Sequence, residues 1–158
     1  MLDKGDIDGF MAPRPPGAHV LANPNVGWLF DDPTAVAKDY YRRTKVFPIM
    51  HVVGIRKGLA DAHPWLPGAV FKAFSQAKAA ALEALSDTSA TKVTLPFVEE
   101  QLKAARDAMG DDYWSYGVAP NRATIETFLR HHHAQGLSVR QLDVDEIFHP
   151  ATYESYVI

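Results

Sequence analysis

The sequence predicts an α/β, helix-rich fold, with a few short strands near its start and four or more helices after them. Three observations carry this. The stretch Val46 to Arg56 (VFPIMHVVGIR) is dense in β-branched residues and reads as a strand. From Pro67 onward, apolar residues recur at three- and four-residue steps, the spacing of one helix face. A content of 47% hydrophobic and 22% charged residues is that of a packed globular chain, and 158 residues make one ordinary domain or a piece of a larger one.

The elements follow in order. Met1 to Gly5 reads as the last turn of a helix with Gly5 as its cap. A helix that ends five residues after the first Met reads either as a frayed terminus or as a sign that the chain is the C-terminal part of something longer. Asp6 to Ala12 alternates into a short strand. Residues 13–31 hold four prolines and two glycines and form a loop, within which Val26 to Phe30 has the character of another short strand. Asp31-Asp32-Pro33 starts a helix, with Asp32 as N-cap and Pro33 in the first turn. It runs to about Thr44 with Val36, Tyr40 and Tyr41 on one side.

In the strand Val46 to Arg56, Pro48 places the early part at an edge or a kink. The lack of alternation implies burial on both faces. Gly58 to His63 is a turn of helix stopped by Pro64. Pro67 to Leu85 is a long helix whose stripe includes Val70, Phe71, Phe74, Ala77, Ala81, Leu82 and Leu85. A polar loop from Ser86 to Lys92 leads to a helix over Leu95 to Met109, ended by Gly110. An aromatic loop, Asp111 to Val118, precedes a helix over Ala119 to Gln135, with Ile125, Phe128, Leu129 and His132 on one side and a Schellman ending at Gly136-Leu137. Asp143 to Phe148 is a last turn of helix before an irregular tail. Two or three isolated strands cannot make a stable sheet. Another chain segment completes the sheet, or the molecule self-associates.

Composition narrows the function. Sixteen Lys and Arg against 19 Asp and Glu leave a net charge of −3, so no basic excess points to nucleic acid or an anionic membrane. Without cysteine there is no disulfide, thiolate zinc site or cysteine nucleophile. No apolar run approaches the ~20 residues of a membrane span, and the start has no signal-peptide pattern. There is no G-x-S-x-G, no phosphate-cradling glycine loop and no H-E-x-x-H.

Of the seven histidines, His131-His132-His133 lie on a helix, where consecutive residues point about 100° apart and cannot converge on one ion. The expectation is a solvated His131 and His133, a half-buried His132, and no metal. His51 differs, because it sits in the middle of the apolar strand, where an ionisable side chain costs free energy unless paired. It is either a neutral core histidine on a backbone hydrogen bond or a proton donor. Arg14 follows a short strand at the mouth of the Pro-rich turn. Arg42 and Arg43 end a helix, and Arg56 ends a strand. A guanidinium there can fork onto a carboxylate, or at the helix end complement the dipole. Asp6 and Asp8 share one face of the first strand, where solubility is the plainer role. The Tyr113-Trp114-Tyr116 cluster reads as packing, although an aromatic wall also suits a ring-shaped ligand.

Several segments carry a resemblance. "LDKGDIDGFMAPR" is similar to a stretch of solute-binding-protein-like chains with two α/β lobes. "AKDYYRRTKVFPIMHVVGIRKGLADAHPWLP" with "VFKAF", "MGDDYWSYGVAPNRATIETFLRHHHAQGLS" and "DEIFHPATYESYVI" together resemble the C-terminal half of the 4,5-dihydroxyphthalate decarboxylase family. The resemblance implies part of a type II periplasmic-binding-protein-like fold, with ligand held between two lobes. Residues 1–31 would end one lobe and cross over; residues 32–158 would form the helix-rich part of the other, with a hinge strand over 46–56. It implies loss of CO₂ from a dihydroxylated aromatic diacid to give protocatechuate, in the cytoplasm and without a cofactor. For that chemistry, residue type and predicted position single out Arg14 and Arg42 to hold the carboxylates, His51 to move a proton and Tyr41 to hydrogen-bond a phenol. The expected partner is a small aromatic carboxylate, in a homo-oligomer or a longer chain. The competing expectation is a solute receptor of an ABC transporter, then periplasmic, with the same fold and no chemistry.

Overall fold

The computed structural model describes residues 1–89 and 92–153. Residues 90 and 91 of the expected polar loop, and the end of the closing motif from Glu154 onward, lie outside them. The chain divides into two compact units, Met1–Asp39 and Tyr40–Ile158.

In the first unit a 3₁₀ turn, Leu2–Lys4, closes on Gly5, whose left-handed φ of 72° a side chain would strain. The Asn23 amide donates to the Asp3 carbonyl at 3.0 Å, tying this turn to a short helix α1, Ala18–Leu21. That helix was not expected within the Pro-rich loop. Helix α2, Pro33–Thr44, starts as its sequence demands: the Asp32 carboxylate accepts from the Ala35 N–H at 2.9 Å. None of residues 1–39 is buried, and Met11, Trp28 and Leu29 stand well into solvent.

The second unit holds the core. Helices α3, Lys57–Ala62, and α4, Leu66–Ser86, are separated by the Pro64 stop. Helix α5 covers Val98–Met109 and begins three residues later than the apolar spacing suggests. Pro96 disfavours helix at Leu95, and Phe97 takes a left-handed φ of 65° at the cap. Glu99 and Glu100 then sit in the first turn, where the dipole favours them. A 3₁₀ turn, Ala119–Asn121, leads into α6, Arg122–Ala134. The Schellman ending is present: Leu137 N–H donates to the His132 carbonyl at 3.0 Å and Gly136 N–H to His133 at 2.9 Å.

Helix α7, Val144–Ile147, is followed by a 3₁₀ turn over Pro150–Thr152. Val118, Ile125, Leu129 and Val144 form the buried apolar cluster, with Leu142, Phe148 and Tyr153 packed against it. Backbone bonds from Val118 to Thr152 (2.9 Å) and from Ala119 to Tyr153 (2.8 Å) lash the last segment across the start of α6.

A four-residue helix cannot nucleate alone, and α7 is held by its ends. Asp143 and Glu146 form a capping box, and Arg140 forks onto the Glu146 carboxylate at 2.7 and 2.9 Å. The Arg140 fork, helped by the Asp143 N–H, holds the Glu146 carboxyl down to about 2. A depressed carboxyl contributes stability above its ordinary value that disappears as pH falls toward its folded value. Unfolding of this segment by acid is therefore expected between about pH 4.5 and 2. Glu146→Gln should remove that acid step, as read by pH-dependent amide exchange at residues 143–148. An unchanged step would place the acid-sensitive group elsewhere.

The helical part of the expectation stands, and the strands do not. Among the described residues there is no β-strand: 6–12, 26–30 and 46–56 carry no ladder. A strand exists only as one side of a hydrogen-bonded pair, and no described segment supplies the other side. His51 is correspondingly exposed, not buried, within a segment that forms no sheet.

Candidate functional site

Helix α2 ends in a cluster of cations and tyrosines. Lys45 breaks it with a left-handed φ of 57°, and its ammonium stands 5.4 Å from the centroid of the Tyr41 ring. Thr44 donates to the Tyr40 carbonyl at 2.8 Å and accepts from the Val46 N–H at 3.1 Å, which fixes the exit of the chain. Arg42 and Arg43 lie in the last turn, where the helix dipole favours positive charge. Tyr41 is half-buried and Arg42 exposed.

Two residues beyond Lys45, Phe47 meets Trp114 edge to face with ring centroids 5.8 Å apart. That contact joins the cationic end of α2 to the aromatic loop 111–118. Two residues organise the loop. Lys78 of α4, only 18% exposed at its side chain, donates to Asp112 at 2.7 Å and to the Trp114 carbonyl at 3.2 Å, and stands 5.1 Å from the Tyr116 ring centroid. From the other end, the Asn121 amide donates to the carbonyls of Ser115 (3.1 Å) and Gly117 (2.8 Å), and its oxygen accepts from the Ser115 hydroxyl. The Tyr113 hydroxyl is shut from solvent with no hydrogen-bond partner among the described residues, a cost that an added acceptor would relieve.

The residues singled out in the sequence fall as follows. Tyr41 and Arg42 share the end of α2. His51 lies further along the segment that leaves it, with no hydrogen bond to any described residue. Arg14 is exposed in the first unit. His131 is exposed and His132, half-buried, packs on Phe128 with centroids 5.5 Å apart. His133 departs from its expected solvation: it is half-buried, and its Nδ1 donates to the Ser138 carbonyl at 3.2 Å. Among the described residues no group of three His, Asp or Glu could hold a metal ion.

An open cavity of about 280 Å³ lies between the end of α4 and the start of α5. Asp87, Glu99 and Glu100 line it against the single cation Lys92, the wrong charge for a diacid. The cationic and aromatic groups around Tyr41, Phe47 and Trp114 are better suited to an anionic ring. Lys78 was missed in the sequence, although a signal existed. It falls inside the stripe of α4, four residues after Phe74 and four before Leu82, where a lysine needs a partner.

No protein-family model matches the chain. A 4,5-dihydroxyphthalate decarboxylase of Comamonas testosteroni is 54% identical to it over all 158 residues. The chain spans about half, 48%, of the length of that relative.

Proposed function

Over the 158 residues that it shares with that relative, the chain belongs to the 4,5-dihydroxyphthalate decarboxylase family, and we propose that it contributes to the same reaction, release of CO₂ from a dihydroxylated aromatic diacid. The observation that carries this reading is the identity, 54% without a break in coverage of the chain.

The chemistry assigns roles to residue types. In 4,5-dihydroxyphthalate each carboxylate has a hydroxyl para to it. Electron donation from that hydroxyl lets the ring carbon bearing the carboxylate take a proton while the phenol gives one up. The carbon–carboxylate bond then breaks, CO₂ leaves, the electron pair left behind restores the aromatic ring, and the phenolate takes its proton back to give protocatechuate. The protein must hold a dianion, deliver one proton to carbon and take one from oxygen. In this reading Arg14 and Arg42 grip the carboxylates, Tyr41 hydrogen-bonds a phenol, and His51 moves the proton. The cations gathered at the end of α2 and the aromatic loop reached through Phe47 support it.

The architecture belongs to the same proposal. The protein is a two-lobed, periplasmic-binding-protein-like clamp in the cytoplasm. Residues 1–31 end one lobe and cross over, 32–158 make the helix-rich part of the other, and 46–56 runs at the hinge. Among the described residues no helix is long and apolar enough to cross a membrane.

Incubation with 4,5-dihydroxyphthalate, followed by CO₂ release and the appearance of protocatechuate, tests the function. Binding without turnover would replace the enzyme with a solute receptor. Arg14→Ala tests the grip. Its loss should weaken binding of the diacid by roughly ten- to a hundredfold, the worth of a charge-assisted hydrogen bond. It should leave a neutral catechol nearly unaffected, and equal losses for the two ligands would remove Arg14 from the carboxylate site.

A further inference from the structure

Residues 47–55 leave the end of α2 without helix, turn or bend. Among the described residues none of their backbone N–H or C=O groups has a hydrogen-bond partner. Nine of the ten residues from Val46 to Ile55 are apolar or glycine, on both faces of any strand they could form. Met50, Val52 and Val53 are nevertheless 77%, 70% and 61% exposed. An apolar segment with a bare main chain is a strand edge waiting for a partner.

We infer that 46–56 becomes a sheet strand by pairing with a strand from polypeptide equivalent to the remaining half of the longer relative, not with a second copy of this chain. This inference rests on the reading of the chain as part of a protein of that kind. Area decides between the two occupants. The chain exposes 12408 Å², whereas a folded monomer of its mass exposes roughly 7,900 Å². About 4,500 Å² is therefore waiting to be covered. Two copies hiding all of it from one another would bury about 9,000 Å² together, beyond the roughly 2,000–5,000 Å² of most obligate dimers. The relative is about twice as long as this chain. A whole protein of that size exposes only about 13,000 Å², so its second half must cover most of what is bare here.

The edge is specified as well. Along a strand, alternate residues turn their N–H and C=O to opposite sides. Pro48 has no N–H and interrupts the even-numbered side. The odd-numbered side, Ile49, His51, Val53 and Ile55, offers an unbroken row and pairs over its full length.

Hydrogen exchange without substrate, on this chain over a range of concentrations and on the full-length Comamonas protein, tests the inference. In this chain the amides of Ile49, His51, Val53 and Ile55 should exchange near unstructured rates at every concentration. The aligned amides of the relative should be slowed at least a hundredfold. Fast exchange in the relative would overturn the inference, because no strand would then sit on that edge. Protection in this chain that rises with concentration would overturn it in favour of self-pairing. Protection here at every concentration would equally overturn it, because the edge would already be filled. Decarboxylation, assayed separately, can fail while the exchange pattern holds, so the two readings fall independently.

Discussion

Leu129→Ala is expected to cost about 2–5 kcal/mol of stability, the usual range for emptying a buried leucine site. Leu129 is buried against Val118, Ile125 and Val144, and these four are the buried apolar cluster of the described residues. The last segment is lashed over the same place by the Val118 and Ala119 backbone bonds, so the cavity cannot collapse without disturbing them. Domains are stable by only about 5–15 kcal/mol in total, which makes one such loss a large fraction of the whole. Urea unfolding followed by circular dichroism measures it. The contrast is Phe128→Ala, one residue earlier, where the ring is 62% exposed and meets His132. That change should cost well under about 1 kcal/mol in this chain. Equal losses at the two positions would show that the core is not centred on Leu129.

That pair also marks how far the sequence could be read. The three- and four-residue spacing placed Ile125, Phe128, Leu129 and His132 on one side of α6, and the helix is there. Spacing cannot distinguish a side chain that enters the core from one on the same stripe that stays in solvent, and Phe128, 62% exposed, belongs to the second kind. Helix ends were legible because their causes are local. Asp32 caps α2, Gly136 takes the left-handed φ of 74° that its Schellman ending needs, and Pro64 separates α3 from α4. The start of α5 was misplaced because the apolar stripe continues back to Leu95, while Pro96 and the left-handed Phe97 end the helix at Val98.

Strands were not legible in the same way. The sequence of 46–56 has strand character throughout, but a ladder depends on a second segment, and among the described residues nothing pairs with it. The candidate site shows the same division. The sequence placed Tyr41 and Arg42 at the end of a helix, and α2 does end there. Lys78 and Asn121 shape the aromatic loop through partners 34 and 6 residues away in sequence; the spacing that marks Lys78 as needing a partner does not say which one.

On the function proposed above, His51→Gln is expected to lower turnover of 4,5-dihydroxyphthalate by roughly 10²–10⁴-fold, the range for loss of a general acid–base group. Residues 46–55 hold one ionisable side chain, and it is this one. On alternation it shares a strand face with Phe47, Ile49, Val53 and Ile55. If the segment is paired and covered as inferred above, an imidazole placed among them costs free energy unless it is paired or used. Decarboxylation through a protonated ring carbon supplies a use, because a group that can give up a proton must reach carbon before CO₂ departs. Glutamine keeps much of the size and an N–H donor, so folding and substrate binding should survive while proton delivery does not. The loss should therefore fall on kcat with KM nearly unchanged, and thermal unfolding should stay within a few degrees of the parent. A variant with intact kcat would assign the proton to another residue. A variant whose KM rises while kcat holds would make His51 a binding group, and the neutral core histidine that the sequence equally allows would show itself as lost stability with kinetics unchanged.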